Sequence, residues 1–205
     1  MKRLVFAIAM ILSGAAQAGE PPPALKPGEV LRGRFVQERF LKGFDKPVRS
    51  EGSFLLAPGK GLIWRGETPF PVVSAITPAG IVQSVGGRET MRLSSAKIPF
   101  LARLYDMMGG AMAGDWRALE REYAVTKSDP VVTLVPRRED GQPIKAITAQ
   151  VGRFVEEVDI AKPDGDHDHL VFRDQAVSTA PLTADEVAIF EAAGFEAAGF
   201  EAAGR

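Results

Sequence analysis

The sequence predicts a mainly β protein with a helical component, folded as a strongly curved antiparallel sheet or barrel. Most of the chain consists of short segments rich in Val, Ile, Phe and Thr and separated by Gly, Pro and Asp, a pattern typical of strands. The turns between the segments are short, which favours antiparallel pairing over parallel strands joined by crossover helices. Apolar residues recur with helical spacing only in the middle of the chain and near its end.

The strand pattern falls into two groups, one on each side of the helical middle. The first group comprises strands near residues 34–42, 50–57, 61–65, 72–77, 80–85 and 88–94. The second comprises strands near residues 122–127, 131–136, 144–151, 154–161 and 168–174. Asp164-Gly165 is typical of a tight hairpin turn and lies between the last two strands. Together the two groups predict about eleven strands in one domain.

Three helices are predicted, one from the spacing of its apolar residues and two from N-capping residues. Between Ile98 and Met112, apolar residues recur at spacings of three and four, which predicts an amphipathic helix rich in methionine. Asp115 is a typical N-cap for a short second helix that would end near residue 122. Thr183 and Glu186 form the Thr-x-x-Glu pattern of a capping box, which predicts a final helix with Phe190 on its apolar side.

The first 18 residues are typical of a cleavable secretory signal peptide. Lys2 and Arg3 precede an apolar run at 4–12, and Ala16-Gln17-Ala18 supplies the small-x-small pattern of a cleavage site. The apolar run is shorter than the about 20 residues that a membrane-spanning helix needs. We therefore expect export to the periplasm and a mature chain that begins with a Pro-rich leader over residues 19–29.

The remaining chain is divided into one domain over residues 30–194 and a repetitive tail over residues 195–205. The pentapeptide Phe-Glu-Ala-Ala-Gly occurs three times in succession, and the first copy, at residues 190–194, is sufficient to complete the final helix. Three copies of five residues are too short for a solenoid. We expect the other two copies to form a disordered tail without a function.

The composition excludes several classes of function. The chain carries 25 basic and 26 acidic residues, so it lacks the basic excess of a nucleic-acid-binding protein. It contains no cysteine, which excludes disulfides, thiolate nucleophiles, cysteine-ligated zinc and a lipid-modified cysteine. A lipid that matters to this protein would therefore be a ligand and not a covalent anchor.

No combination of residues is typical of a catalytic, cofactor or metal site. The histidines, His167 and His169, alternate with aspartates after Asp164-Gly165, and without a third histidine they make a weak set of zinc ligands. The pattern is more typical of a polar hairpin tip exposed to solvent. Nucleophile-elbow, phosphate-loop and dinucleotide-binding motifs are absent. We therefore predict a protein that is not an enzyme and has no cofactor, and a hydrolase that uses the two histidines is the remaining catalytic alternative.

Aromatic and methionine side chains are the most distinctive apolar group. Aromatic residues crowd the first strands, and methionine, which adapts to irregular apolar partners, lies on the predicted central helix. An ordinary packed core would give the same pattern, but a curved sheet covered by this helix could also enclose a cavity for acyl chains. From strand parity and helical spacing we expect the cavity lining to comprise Phe35, Phe54, Leu56, Leu62, Trp64, Ile76, Leu101, Leu104, Met108 and Met112.

Several short motifs resemble those of the LolA family, the periplasmic carriers of outer-membrane lipoproteins, in order and spacing. They are Arg34-Phe35-Val36-Gln37-Glu38-Arg39, Gly52-Ser53-Phe54-Leu55, Pro58-Gly59, Gly61-Leu62-Ile63-Trp64, Pro69, Gly80 and the passage from Gly114-Asp115 to Tyr123-Ala124-Val125. The strand–helix–strand order agrees over most of residues 30–190. The chain is most similar to a divergent, LolA-related branch.

The resemblance implies an incomplete antiparallel β-barrel of about eleven strands, with a helical lid over a hydrophobic cavity. It implies a periplasmic carrier that shields the acyl chains of lipoproteins, or of a related lipid cargo, during transfer from the inner to the outer membrane. It also implies an inner-membrane ABC transporter that loads the cargo and an outer-membrane receptor that unloads it. We expect a monomer. The alternative is a lipid-sensing or protein-binding envelope module without a transport role.

Two features differ from the family pattern. The family's carriers often have an arginine that ties the lid to the barrel, and in this chain its position is occupied by Ala57. Lys60 and Arg65 are the candidates to replace it. The Pro-rich leader also takes the place of the amphipathic helix that usually begins the mature carrier.

Overall fold

The computed structural model describes residues 25–98, 119–138 and 143–194. These ranges form one open antiparallel sheet of eleven strands and a short helix. The elements are β1 (Val30–Phe40), β2 (Val48–Ala57), β3 (Gly61–Thr68), β4 (Val72–Thr77), β5 (Gly80–Val85), β6 (Arg88–Ser94), β7 (Tyr123–Ser128), β8 (Val131–Pro136), β9 (Ala146–Val151), β10 (Val155–Ala161), β11 (His167–Ser178) and α1 (Ala184–Ala192).

The predicted fold class is confirmed, and every predicted strand is present. The largest differences are at the outer ends of β1 and β11, which continue to Val30 and Ser178. Gly33 and the residues around Asp174 interrupt the strand pattern in the sequence. The two strands nevertheless pair on both sides of an irregularity at this level, with Val30 opposite Ser178. Backbone pairing thus extends beyond the residues whose side chains favour strands.

Two helical predictions have different outcomes. The proposed lid runs from Ile98 to Met112, and all of it except Ile98 lies outside the described residues. The second predicted helix is wrong over its last residues, because Leu119–Glu122 form a turn. The amide of Tyr123 donates to the carbonyl of Leu119 at 2.9 Å, which closes this turn directly before β7. Within the described ranges, no helix has the length and apolar character needed to cross a bilayer.

The sheet consists of two meanders joined by the first and last strands. Its order is β6-β5-β4-β3-β2-β1-β11-β10-β9-β8-β7. β1 pairs with β11 in antiparallel register from Val30 opposite Ser178 to Phe40 opposite His167. The edges of the sheet are therefore β6 and β7, which follow one another among the described strands. The centre of the sheet depends on contacts between the two ends of the domain.

Helix α1 covers one face of the first meander. Phe190 is buried beneath it against alternate residues of the strands, which include Leu55 and Ile63. The predicted capping box is present: the amide of Glu186 donates to Thr183 Oγ1 at 3.2 Å, and the amide of Thr183 donates to Glu186 Oε2 at 2.8 Å. Arg32 adds an ion pair with Glu186 at 2.9 Å, which links the helix to β1.

The opposite face, called the inner face here, carries the larger core. Because side chains alternate along a strand, the residues next to those beneath α1 point to this face. The cluster connects strands from both meanders. Its buried members are Leu31, Phe35, Phe54, Leu56, Leu62, Leu119, Tyr123, Val132, Leu134, Ala149, Val155, Leu170 and Phe172.

Contacts across the inner face agree with an incomplete barrel. The ring centroids of Trp64 and Phe172 are 6.1 Å apart, although β2 and β1 lie between their strands. Neighbouring strands are about 4.8 Å apart, so in a flat sheet the two backbones would be separated by about 14 Å. The two side chains therefore lean toward each other over a sheet that curves around this face.

Candidate ligand-binding site on the inner face

The six predicted lining residues within the described ranges all lie on the inner face. Cross-strand register places Phe54 opposite Trp64 and Leu62 opposite Ile76. Phe35, Phe54, Leu56 and Leu62 are each at most 3% exposed, whereas Trp64 and Ile76 are partly buried against the same cluster. The other four residues, Leu101, Leu104, Met108 and Met112, lie outside the described residues. That these residues line a lipid cavity stays a prediction.

Four aromatic rings meet at the centre of this face, and we refer to Phe35, Phe54, Trp64 and Phe172 as the aromatic cluster. Phe35 stacks on Trp64 with ring centroids 3.7 Å apart and planes inclined by 25°. Phe172 approaches Phe54 edge-on, with centroids 5.5 Å apart and planes at 84°. Stacked and edge-on aromatic pairs add stabilisation beyond the area that they bury. Sequence reasoning missed Phe172, although it shares strand parity with Leu170 in an apolar stretch of β11.

Glycines on the intervening strands make room for the aromatic cluster. A Cβ atom at Gly33 would lie 2.6 Å from Cε1 of Phe54, and one at Gly52 would lie 3.0 Å from Cε1 of Phe35. Glycine within a strand weakens the strand and often marks close approach of another group. The Phe54 ring therefore occupies the space of a side chain at Gly33, whereas at Gly52 the backbone carbonyl of Arg65 fills that space together with the Phe35 ring.

An ion cluster around the buried carboxylate of Asp168 lies at one end of the inner face. Asp168 is only 4% exposed. Its Oδ1 accepts hydrogen bonds from Nε of Arg39 at 2.8 Å and from Nε2 of Gln37 at 3.0 Å. Its Oδ2 lies 2.6 Å from Nζ of Lys162. We refer to Asp168, Arg39, Gln37 and Lys162 as the Asp168 cluster, and sequence reasoning did not find it.

The charges around Asp168 determine its protonation state. Burial by itself raises the pKa of this carboxyl group, but hydrogen bonds from Arg39 and Lys162 outweigh burial and lower the pKa below its usual value. Asp168 is therefore ionised at neutral pH. A buried carboxylate with two cationic partners is stable only as a unit, because removal of one partner leaves a charge without compensation.

The two histidines do not form a hairpin tip, which corrects the sequence interpretation. Residues 162–166 make the turn, and His167 and His169 lie within β11 on the face opposite to Asp168. The His167 ring stacks on Phe40 with centroids 4.3 Å apart, and Nδ1 of His169 lies 2.9 Å from Oδ1 of Asp159. Within the described ranges, no group of three or more His, Asp or Glu side chains is arranged to hold a metal ion.

The candidates for the family's lid-binding arginine lie away from the aromatic cluster. Arg65 forms an ion pair with Asp185 of α1, on the face opposite to the inner face. Ala57 is buried in the cluster beneath α1. Lys60 belongs to the turn between β2 and β3, where its amide donates to the carbonyl of Ala57 at 3.0 Å. Arg65 therefore links β3 to α1 through an ion pair on the face opposite to the inner face.

A cleft of about 430 Å³ opens beside Phe172 of the aromatic cluster, between the middle of β11 and the start of β10. Its lining includes Phe154 and Phe172 together with the charged residues Glu157 and Asp174. Asp174 has a φ angle of 52°, in the left-handed region that Asp adopts more readily than most residues. The cleft therefore adjoins Phe172 but has a mixed polar and apolar lining.

Comparison with known proteins gives similarity only at the level of solved structures. No family model and no curated protein matches the chain. The chain is similar to a LolA superfamily protein from Nitrosomonas europaea, with a TM-score of 0.38 and 8% identity over 79% of this chain and 91% of that one. It is also similar to a putative outer membrane lipoprotein-sorting protein domain from Vibrio parahaemolyticus, with a TM-score of 0.39 and 11% identity over 81% and 92% of the two chains.

A third similar structure is the complex of MucA and MucB from Pseudomonas aeruginosa. Its TM-score is 0.35 and its identity 17%, over 78% of this chain and 55% of that one.

Proposed function

We propose that the protein is a periplasmic carrier that shields the acyl chains of a lipoprotein, or of a related lipid, on its inner face. The observation that carries the proposal is the aromatic cluster, in which rings from β1, β2, β3 and β11 meet above glycines. Large rigid apolar side chains of this kind commonly line ligand sites. The sequence motifs of the LolA family and the signal-peptide pattern support the same proposal.

Transfer of acyl chains from a membrane to the carrier requires partner proteins. Removing each acyl CH₂ group from water is worth about 0.8 kcal/mol, and a lipid bilayer offers the same gain. A carrier therefore needs a loading step that extracts the cargo from one membrane and a receiving step at the other. We propose an inner-membrane ABC transporter and an outer-membrane receptor for these steps, and a monomeric carrier between them.

A protein-binding or lipid-sensing envelope module is the second candidate, and one observation favours it. Phe35, Phe54, Leu56 and Leu62 are almost completely buried, as in an ordinary core. Acyl chains would have to displace side chains at this face before they could bind. A module that only presents its outer surface to a protein partner would need no such rearrangement.

Fluorescence quenching by a brominated fatty acid tests the carrier proposal at the aromatic cluster. The chain contains two tryptophans, and Trp116→Phe leaves Trp64 as the single reporter. We expect saturable quenching by stearate brominated at mid-chain, and no quenching by unmodified stearate. Binding without quenching would place the ligand away from Trp64.

Lipid extraction from the protein purified gently from the periplasm of its native host identifies the cargo. We expect mass spectrometry to detect a stoichiometric acylated species. A protein that is empty and also ignores added lipid and lipoprotein would contradict the carrier proposal and favour the protein-binding module.

A further inference from the structure

The Asp168 cluster and the aromatic cluster share one strand and one face. Asp168, Leu170 and Phe172 alternate along β11, and all three belong to the buried side of the sheet. Phe172 follows Asp168 by four positions, which corresponds to about 13 Å along an extended strand. Along β11, the inner face therefore has an apolar strip, formed by Leu170 and Phe172, and a charged end at Asp168.

The Asp168 cluster itself has more cationic than anionic groups. Asp168 supplies one carboxylate, whereas Arg39 and Lys162 supply two cations. Two of its cross-strand neighbours are apolar, because Val48 lies opposite Arg39 on β2 and Ile160 lies opposite Asp168 on β10. The adjoining turn carries two further carboxylates, Asp164 and Asp166, which accept hydrogen bonds from the backbone amides of Asp166 and Lys42. The cluster thus carries one positive charge in excess, beside apolar residues.

Both cations retain capacity for another anion. Arg39 reaches Asp168 through Nε, and its two terminal nitrogens have no hydrogen-bond partner among residues 25–98, 119–138 and 143–194. Its side chain is 50% exposed and that of Lys162 is 27% exposed. Guanidinium groups bind carboxylate and phosphate with paired hydrogen bonds, and an ammonium group adds a compact charge. A ligand at this end could therefore contact both cations without displacing Asp168.

We propose that the cargo of the inner face is an amphiphile with an anionic head group, a carboxylate or a phosphate, bound by Arg39 and Lys162. The inference rests on the proposed function and narrows its substrate class. The acyl chain lies toward the aromatic cluster, and the head group remains at the partly exposed end. Asp168 acts as a positioning residue that fixes the two cations at the end of the apolar strip.

Ligands of equal chain length test the head group separately from the chain. The full-length protein is titrated by calorimetry with palmitate, hexadecyl phosphate and neutral hexadecanol, and with sodium acetate and sodium phosphate alone. We expect both anionic amphiphiles to bind at least about tenfold more tightly than hexadecanol. Arg39→Gln and Lys162→Gln should each weaken the anionic amphiphiles about tenfold and leave hexadecanol unchanged.

Arg49→Gln is the matched control, because Arg49 is similarly exposed but lies on the opposite face beside Glu38 and Glu51. It should leave all affinities unchanged. Circular dichroism checks that each variant is folded, and if Arg39→Gln is not, Lys162→Gln and the charge-preserving Arg39→Lys provide the test.

The outcomes separate this inference from the proposed function. Equal binding of palmitate and hexadecanol overturns the anionic head group but leaves a carrier of acyl chains. Failure of every amphiphile to bind overturns both. Binding of phosphate or acetate alone as tightly as the amphiphiles assigns the cations to a free anion, which also overturns the inference.

Discussion

The indole ring of Trp64 stacks directly on the ring of Phe35, across a strand that lies between them. Phe35 belongs to β1 and Trp64 to β3, and β2 contributes only Gly52 opposite Phe35. Large side chains of next-nearest strands do not usually meet, because the side chain of the middle strand separates them. The stacking at the centre of the inner face therefore depends on the absence of a side chain at Gly52.

Gly52→Ala should destabilise the protein, with a loss of about 1–3 kcal/mol in the free energy of unfolding. The new Cβ would lie 1.8 Å from the carbonyl oxygen of Arg65, a backbone atom of the sheet, and 3.0 Å from Phe35. Gly66→Ala is the matched control, since Gly66 faces Gly52 in register and its Cβ would meet nothing closer than 3.6 Å. Urea unfolding measures both variants, and equal losses would contradict this explanation.

Phe190→Ala should cost about 3–5 kcal/mol of unfolding free energy, because Phe190 is 1% exposed beneath α1. Phe195→Ala changes the same residue in the next copy of an identical pentapeptide, and we expect less than about 0.5 kcal/mol. Thermal and urea unfolding compare the two variants. A comparable loss at residue 195 would show that the tail contributes to the fold.

The stability of the protein should fall in acid partly because of Asp168. Its pKa is lowered in the folded protein, so its contribution is complete above the unfolded pKa of about 3.9 and is lost as the pH falls toward the folded value. Asp168→Asn should be less stable at pH 7, and its difference from the wild type should shrink below about pH 4. Urea unfolding between pH 3 and pH 7 measures this difference. A difference that is constant across that range would contradict the assignment.

Met108→Asp should abolish uptake of a fluorescent fatty acid and leave the circular-dichroism spectrum folded. The reason is that a carboxylate in the apolar lining of a ligand site opposes an acyl chain. Met108→Leu, which nearly conserves volume, is the control and should retain uptake. Loss of folding in the Asp variant would instead identify Met108 as ordinary core.

Replacement of both His167 and His169 by Ala should leave ligand uptake unchanged. The two rings lie on the face opposite to Asp168 and the aromatic cluster, so they do not contact the proposed site. The same titrations with palmitate measure the effect. A large loss of function in a folded double variant would revive the hydrolase alternative.

Local patterns were sufficient to predict the strands and the parity of the inner face. Gly, Pro and Asp mark the ends of the strands, and a period of two places Phe54 with Leu56, and Leu62 with Trp64, on one side. The capping box at Thr183 has the same local origin. These features depend on residues close in sequence, which is why they could be found without the pairing of the strands.

The Asp168 cluster could not be found in this way, because Asp168 and Arg39 are 129 residues apart and meet only when β11 pairs with β1. The alternation of histidine and aspartate in the sequence indicates His167 and His169, and not Asp168, as the candidate polar site. The useful signal was that Asp168 shares strand parity with Leu170 and Phe172. A single acid in an apolar register indicates a buried charge that requires a partner.

Because the chain is synthesised from its N-terminus, the pairing of β1 with β11 is delayed. β1 is the first of the described strands to be synthesised and β11 is the last of them, so an eleven-residue edge of β1 remains open until β11 has been made. An open edge is a template for another chain, and the β11 strand of a second molecule offers the same register. Exchange of the last strand between molecules therefore competes with completion of the monomer, and crowding of nascent chains favours the exchanged dimer.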